Sequence, residues 1–403
     1  MEEYDIAVVG AALAGSLAAV ALADSGYRVA LVGPVSPHPD RRTTALMQPA
    51  LDMLARLGLE EALFPIAEPL SAIRIIDGTN RLLRAPTVTF RAAEIGLNAF
   101  GSNLPNAALL SVLDGAIAAR SAITRIEASL AGLDMSDEGA TLDLDTGGRI
   151  SAGLVVGADG RASAVRAAAG IPTHRWSYPQ TAVVMNFDHE RPHEQISTEF
   201  HTEEGPFTQV PLATNRSSLV WVRRPENAAT TVTLAQDVLC RTVEARMQSM
   251  LGRVRAVEGV QSFPLSGMTA RRFGRGRAVL VGEAGHAFPP IGAQGLNLGL
   301  RDVATLVDLL GPASGAAISG SLAERYDHAR RADVISRTVS VDLLNRSLLS
   351  GFLPVQAVRS AGLHLLSAVP PLRAFAMREG VQPGGALAAL ARDLRERIGR
   401  KQA

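Results

Sequence analysis

Between Gly282 and Asp302 the chain reads GEAGHAFPPIGAQGLNLGLRD, a run of turn formers set between an apolar strand, Arg277 to Gly282, and a periodic helix. Such a loop lets backbone amides approach a flat ligand, because Pro289, Pro290, Gly292 and Gly295 keep side chains away and set a tight turn. The helix places Leu296, Leu300, Val303, Leu306, Val307 and Leu310 on one face, which buries that face and aims its amino end at the ligand. Free N–H groups and the positive end of the helix dipole stabilise a negative charge there. A second candidate for chemistry is weaker. His189, Glu190 and His193 spell the HExxH pattern, which binds zinc only when both histidines sit one turn apart on a helix. Pro192 interrupts it and Ala182 to Asp188 reads as a strand, so a solvated turn at a strand end is expected instead of a metal site. His286, inside the loop, reads as a supporting residue and not as a proton shuttle.

A loop of this kind has to be carried by a sheet, and the amino terminus begins one. Tyr4 to Gly10 (YDIAVVG) is a short apolar strand, and Ala11 to Gly15 leads into an alanine-rich helix that runs to about Asp24. That is the start of a dinucleotide-binding βαβ unit, in which glycines allow the turn, the approach of backbone to a pyrophosphate and the packing of helix on strand. Gly10 and Gly15 match the pattern, Ala12 stands where a middle glycine is usual, and the second strand, Arg28 to Val32, ends at Gly33 where an acid would hold a ribose. Any βαβ unit can carry glycines in its first turn, so this motif alone leaves both readings open. Leu154 to Arg166 (LVVGADGRASAVR) is a third strand, ending in Asp159-Gly160, a pair that by itself also reads as a hairpin turn.

The three motifs together, in this order and spacing, resemble the aromatic-ring flavoprotein hydroxylases, the single-component FAD monooxygenases. Segments outside the flavin motifs narrow the likeness: RTTAL at 42–46, NAFGSNLPN at 98–106, GPFTQVPLATNRSSLVW at 205–221, RADVISRTVSVDLLNRSLLSGFL at 331–353 and MREG at 377–380 are similar to the ubiquinone-biosynthesis hydroxylases. The resemblance implies an α/β fold: a Rossmann-like FAD-binding domain, an interleaved antiparallel substrate domain of the p-hydroxybenzoate-hydroxylase kind, and C-terminal helices. It implies FAD contacts at Gly10, Ala12, Leu13, Ala14 and Gly15, at Arg42 and Asn106 near sugar and phosphate, and at Asp159 beside the access path of a nicotinamide nucleotide. Gly282 and Glu283 would meet the ribityl chain, with glutamate in place of the usual aspartate. Gly292, Gly295 and the amides near Leu296 and Asn297 would face the flavin pyrimidine, and Pro290 and Gln294 would lie where substrate meets flavin.

The implied activity is hydroxylation of a polyprenylated phenol through a flavin hydroperoxide, with dioxygen as co-substrate and NAD(P)H or a separate reductase as electron donor. Two other readings stay open: a hydroxylase of a small soluble phenol, and a non-catalytic flavoprotein-like subunit of a ubiquinone-biosynthesis complex, since Ala12, Gly33 and Glu283 all fall at cofactor contacts. A hydrocarbon substrate implies peripheral contact with the inner face of a membrane. Leu343 to Leu353, Leu363 to Val369 and the basic stretch Arg392 to Lys401 could supply it, or could equally be helix packing or a subunit interface.

Composition agrees. The 403 residues, 47% hydrophobic and 20% charged, suffice for two closely packed domains. A net charge of +1 argues against a nucleic-acid partner, and the single cysteine, Cys240, excludes an internal disulfide framework and suggests a reducing compartment. No signal-like segment precedes Tyr4 and no stretch is apolar enough to span a bilayer, so a cytoplasmic protein is expected. Lys401 is the only lysine, which excludes Walker-type and Schiff-base chemistry. The expected FAD domain collects residues 1–70, 99–175 and 266–340; the substrate domain 71–98 and 176–265; a helical region 341–403. Short alternating strands are expected at Ile73 to Asp77, Leu82 to Ala85, Ala182 to Asp188, Ile196 to His201, Phe207 to Leu212 and Ser217 to Arg223. The oligomeric state stays open.

Overall fold

Two eight-stranded sheets and a three-stranded seam between them organise the described residues. The computed structural model describes residues 1–34, 40–79, 84–289, 294–349, 361–362, 364–366 and 368–382. In the first sheet the parallel strands run in the order Ala278–Leu280, Arg149–Gly157, Glu2–Val9, Val29–Val32, Ile123–Ile126, with antiparallel additions at the edges. Ile6 to Val9 and Val29 to Val32 are buried without alternation, because helices close both faces of a parallel sheet. The helix Leu13–Asp24 lies between this sheet and the helices Asn106–Ala118 and Gln294–Leu310.

The second sheet runs His286–Ala287, Val254–Ala270, Thr173–His189, Arg216–Arg223, Pro206–Leu212, Ile196–His201, Ala72–Asp77, Val88–Arg91. Every pairing is antiparallel except that of Ile196–His201 with Ala72–Asp77. One sequence expectation fails here. The partner of Ala72–Asp77 is Val88–Arg91, while Arg84 and Ala85 lie outside any strand and Leu82 and Leu83 fall outside the described residues. Pro86 has no N–H for a ladder, and the β-branched and aromatic run that suits a pleated surface begins only after it. His189 ends a strand instead of starting a helix. Its ring bonds Arg191 O (2.7 Å) and Ser217 Oγ (2.9 Å), and His193 bonds Leu212 O (2.8 Å), so both rings serve the sheet.

The seam pairs Thr43–Met47, Gly101–Pro105 and Glu68–Pro69. It is bound to the second sheet by Asn103 Nδ2 donating to Pro211 O (2.9 Å) and by Thr43 meeting Ser218 (2.9 Å). The helix Leu322–Leu349 packs on Gln294–Leu310 and on the edge of the first sheet. The helix Pro370–Val381 returns to the second sheet, where Met377 packs with Ala92 and Phe100 and Arg373 pairs with Glu94 at 2.7 Å. Of the apolar face expected near the end of the chain, residues 350–360, 363 and 367 lie outside the described residues, as does the basic stretch 392–401.

Candidate functional site: a dinucleotide cradle facing an open sheet

At the end of the first strand, Gly10 has φ +112° and a Cβ there would stand 2.4 Å from Ala158 O. A Cβ on Gly15 would stand 1.7 Å from Gly10 O, so the turn and the first helical turn touch backbone to backbone. The first helical bond is Ser16 N to Ala12 O (2.9 Å), and no side chain caps the helix. The N–H groups of Leu13, Ala14 and Gly15 therefore have no helical acceptor and form a seat for an anion. Ala12, the departure from glycine, is exposed, so its methyl costs the fold nothing. Gly33, the missing acid, has a steric cause. A Cβ there would stand 2.6 Å from Ala11 N and 2.8 Å from Ala11 Cβ, so the loop occupies the space a ribose-binding side chain would need.

Asp159 divides its oxygens. Oδ2 accepts from Ala164 N (2.7 Å) and Val165 N (3.1 Å), while Oδ1 is buried with no partner among the described residues. A buried acceptor left open in this way calls for a donor from a ligand or water. Arg166, whose guanidinium is pulled down from its ordinary value by burial, ties this loop to the next through Ala284 O (2.7 Å). Glu283 is half exposed and lies 3.3 Å from Arg161.

Arg42 and Asn106 converge, and a residue the sequence reading missed brings them together. Asp40 accepts Arg42 Nε (2.8 Å), Arg42 Nη2 (2.7 Å) and Asn106 Nδ2 (2.8 Å). Burial opposes the Asp40 charge, but the bonds from Arg42 and Asn106 outweigh it and hold the carboxyl below its ordinary value. An anion at this point competes with Asp40 for Arg42. Beyond Asp40 a cavity of about 850 Å³ opens between Thr43, Pro105, Asn186, Leu212 and Gly259.

The Gln294–Leu310 helix meets the first helix through small residues: a Cβ on Gly299 would stand 3.4 Å from Gly282 Cα, and one on Gly282 3.3 Å from Ala14 Cβ. Gly282, Ala14 and Gly299 thus bring two motifs, distant in sequence, into contact. Gly295 is exposed and Leu296 half-buried at the amino end. Asn297 is turned to the seam, where Oδ1 accepts Met47 N (2.8 Å) and Nδ2 donates to Ala45 O (2.8 Å). These side-chain bonds latch the helix end to the seam. Pro290 and Gly292 lie outside the described residues, and Gln294 is described only as the first residue of the helix.

A buried ion cluster behind the loop was also missed. Asp302, 1% exposed, accepts Gly282 N (2.9 Å) and His286 Nε2 (2.6 Å) on one oxygen and Arg330 Nε (2.7 Å) on the other. The hydrogen bond to the carboxylate requires a proton on Nε2 of His286. Burial opposes the Asp302 charge, but His286 and Arg330 outweigh it and hold the carboxyl below its usual range. Burial also pulls the neighbouring Arg301 down to about 10, against its ion pair with Asp333 at 3.1 Å. The sequence did hold a signal. Leu298, Asp302 and Leu306 follow one another at four-residue steps on a buried helix stripe, and so do Tyr326, Arg330 and Val334 on the next helix. An acid and a base placed mid-stripe on adjacent helices must find each other, since an unpaired buried charge is too costly.

The uncapped helix, the glycine contacts and the open oxygen of Asp159 fit a bound dinucleotide. A family model described as FAD binding domain matches residues 3–340. The ubiquinone hydroxylase UbiL of Rhodospirillum rubrum is 31% identical over 387 residues, covering 94% of this chain and 89% of that protein. The 3-demethoxyubiquinol 3-hydroxylase of Escherichia coli is 30% identical over 371 residues, covering 89% and 93%. Among solved structures, the p-nitrophenol 4-monooxygenase PnpA of Pseudomonas putida superposes with a TM-score of 0.77 at 21% identity, covering 96% of this chain and 99% of that one, a likeness of fold. Because the family model spans the cradle, both sheets and most of the Leu322–Leu349 helix, the chain belongs to the FAD binding domain family.

Proposed function

We propose that the protein is an FAD-dependent monooxygenase that hydroxylates the ring of a polyprenylated phenol in ubiquinone biosynthesis. The observation that carries this reading is a half-accessible, mostly apolar sheet face set beside the amino end of the helix Gln294–Leu310, in a chain related over nine-tenths of its length to two ubiquinone-pathway hydroxylases. When bound, FAD supplies the electrons that let dioxygen place one oxygen atom on the ring. The protein's part is to bind, orient and keep water out. The N–H groups of Leu13, Ala14 and Gly15 would hold the pyrophosphate, with Arg42 released from Asp40 as a second anion contact. Asp159 Oδ1 would accept a hydroxyl of the cofactor. The helix end at Gly295–Asn297 would stabilise negative charge on the flavin edge through backbone amides.

Each departure from the usual pattern has a local accommodation: the methyl of Ala12 is exposed, Gly33 makes room for Ala11, and Glu283 pairs with Arg161. The test is to load the purified protein with FAD, measure flavin content, and follow NAD(P)H oxidation and product with a prenylated phenol and with a small soluble phenol. Stoichiometric FAD and a hydroxylated prenyl product are expected. Activity confined to the soluble phenol would replace the substrate class, and absence of binding at excess FAD would replace the enzyme with a non-catalytic subunit.

No helix among the described residues is long and apolar enough to cross a membrane. We place membrane contact on the C-terminal helices, where Leu365, Leu372 and Phe375 are exposed. Flotation with anionic vesicles is expected to carry the protein upward. Failure to float, with activity intact on detergent-dispersed substrate, would remove that contact.

A further inference from the structure

The two faces of the antiparallel sheet are filled differently. On one, Met185, Phe200, Phe207, Leu219 and Trp221 are buried beneath the helices Pro225–Val232 and Gln236–Arg246. The other can be followed through the strand register. Ile73 and Met47 pack against one cluster, Ala92, Phe100 and Met377, and the N–H of Met47 is held by Asn297, so this face looks toward the amino end of the flavin helix. Ile75 lies two residues on, on the same face, and stands opposite Glu199; Glu199 stands opposite Thr208, Thr208 opposite Val220, and Val220 opposite Val184. All six are half-accessible, and for Val184, Glu199, Thr208 and Val220 the neighbours on the opposite face are buried; on the strand Ala72–Asp77, Arg74 and Ile76 are half-accessible as well. Space over an apolar sheet face, next to a cofactor cradle, is space for a ligand.

Glu199 is the one carboxylate in that row. Its oxygens meet His201 Nε2 at 2.9 Å and Thr208 Oγ1 at 3.2 Å, and its side chain is 18% exposed. Burial works against its charge, but the bonds from His201 and Thr208 outweigh it and hold the carboxyl below its ordinary value. It is thus an ionised group that can only accept. Asp302 makes the contrast, since its carboxylate is sealed at 1% exposure and spent on Gly282, His286 and Arg330. A carboxylate offers about four lone-pair sites. Among the described residues Glu199 uses two.

We propose that Glu199 accepts the O–H of the substrate phenol and so fixes which ring carbon is presented to the flavin. The proposal rests on the phenol-hydroxylase reading above. Proton transfer does not follow: a phenol's ordinary value lies far above a carboxylate's, and His201 and Thr208 hold Glu199 lower still. The proton stays on the phenol oxygen, no bond to it breaks, and Glu199 acts by holding the hydroxyl and orienting the ring. A site built around an acceptor rejects a ligand whose hydroxyl has been methylated, because the carboxylate is then left without its donor.

The experiment compares binding of a prenylated phenol and its methyl ether to FAD-loaded wild type and Glu199→Gln, read from perturbation of the flavin absorption band. Wild type is expected to prefer the phenol by about tenfold or more, the scale of a hydrogen bond to a charged group. Glu199→Gln, with unchanged FAD content, is expected to lose most of that preference by weakening the phenol alone. Equal weakening of both ligands, or an undiminished preference, overturns the assignment. If the variant does not fold, wild type alone still decides: equal binding of phenol and ether, with hydroxylated product formed, overturns Glu199 and leaves the function standing. A wild type that holds FAD but binds neither ligand overturns the function itself, and this inference with it.

Discussion

The parallel sheet is buried on both faces and would hold a ligand at the ends of its strands, whereas the antiparallel sheet is sealed on one face and half-accessible along one row of the other. The difference separates two ways of making a site. At the strand ends a ligand would meet backbone: N–H groups of an uncapped helix and turns that admit no Cβ. Over the half-accessible row it would meet side chains, which can change without disturbing the ladder beneath. The proposed cofactor site is therefore sensitive to one added methyl group, and the proposed substrate site would be tolerant in fold but sensitive in specificity.

That comparison breaks most sharply at Gly15. Gly15→Ala would put a Cβ 1.7 Å from Gly10 O, backbone against backbone, and is expected to cost more than about 4 kcal/mol and abolish folded, FAD-loaded protein. Soluble yield and flavin content measure it, and a stable yellow protein would show that the cradle can relax.

Asp302→Asn is expected to cost about 3–5 kcal/mol by leaving Arg330 buried beside a neutral amide. The same carboxylate sets an acid limit. Its folded value lies below the unfolded one, about 3.9, so its contribution is fully present above that pH and is lost as pH falls through the folded value. Melting temperature should fall more steeply below about pH 4 in wild type than in the variant. Parallel acid profiles would remove Asp302 from the account.

Trp221→Ala on the sealed face should cost about 3–5 kcal/mol, since Trp221 is 2% exposed and meets the Phe207 ring edge-on at 5.3 Å. Val220→Ala, its neighbour on the open face, should cost only about 1 kcal/mol while shifting affinity for the phenol. Paired denaturant melts test the contrast, and equal losses would mean that the open face is packed like the sealed one.

Much of this was readable in advance, for local reasons. The strand–turn–helix at Tyr4–Asp24 and the short strands from Ala182 to Arg223 follow from periodicity and turn residues within a few positions. The strand Val254–Ala270 was not readable. Its 17 residues contain Gly259 at φ +66°, Pro264 and Gly267, and it is extended because Thr173–His189 pairs with it through three register shifts. At Gly267 a Cβ would stand 2.1 Å from the Trp176 ring, so the glycine makes room for an aromatic cover from the neighbouring strand. In the site, glycines and helix ends were legible. Asp40, Asp302 and Arg330 were not assigned, since each takes its meaning from a partner on another element.

The sequence by itself determined the places where backbone must face a ligand, because a glycine's φ, a missing Cβ and an uncapped helix end act over a few residues, while the cofactor class came from the likeness of its motifs to a known family. Only the tertiary structure decided which face of the alternating strands is sealed, which carboxylate is locked in an ion cluster and which is left open. An alternating strand offers two faces, and the path of the chain between strands determines which of them the helices cover.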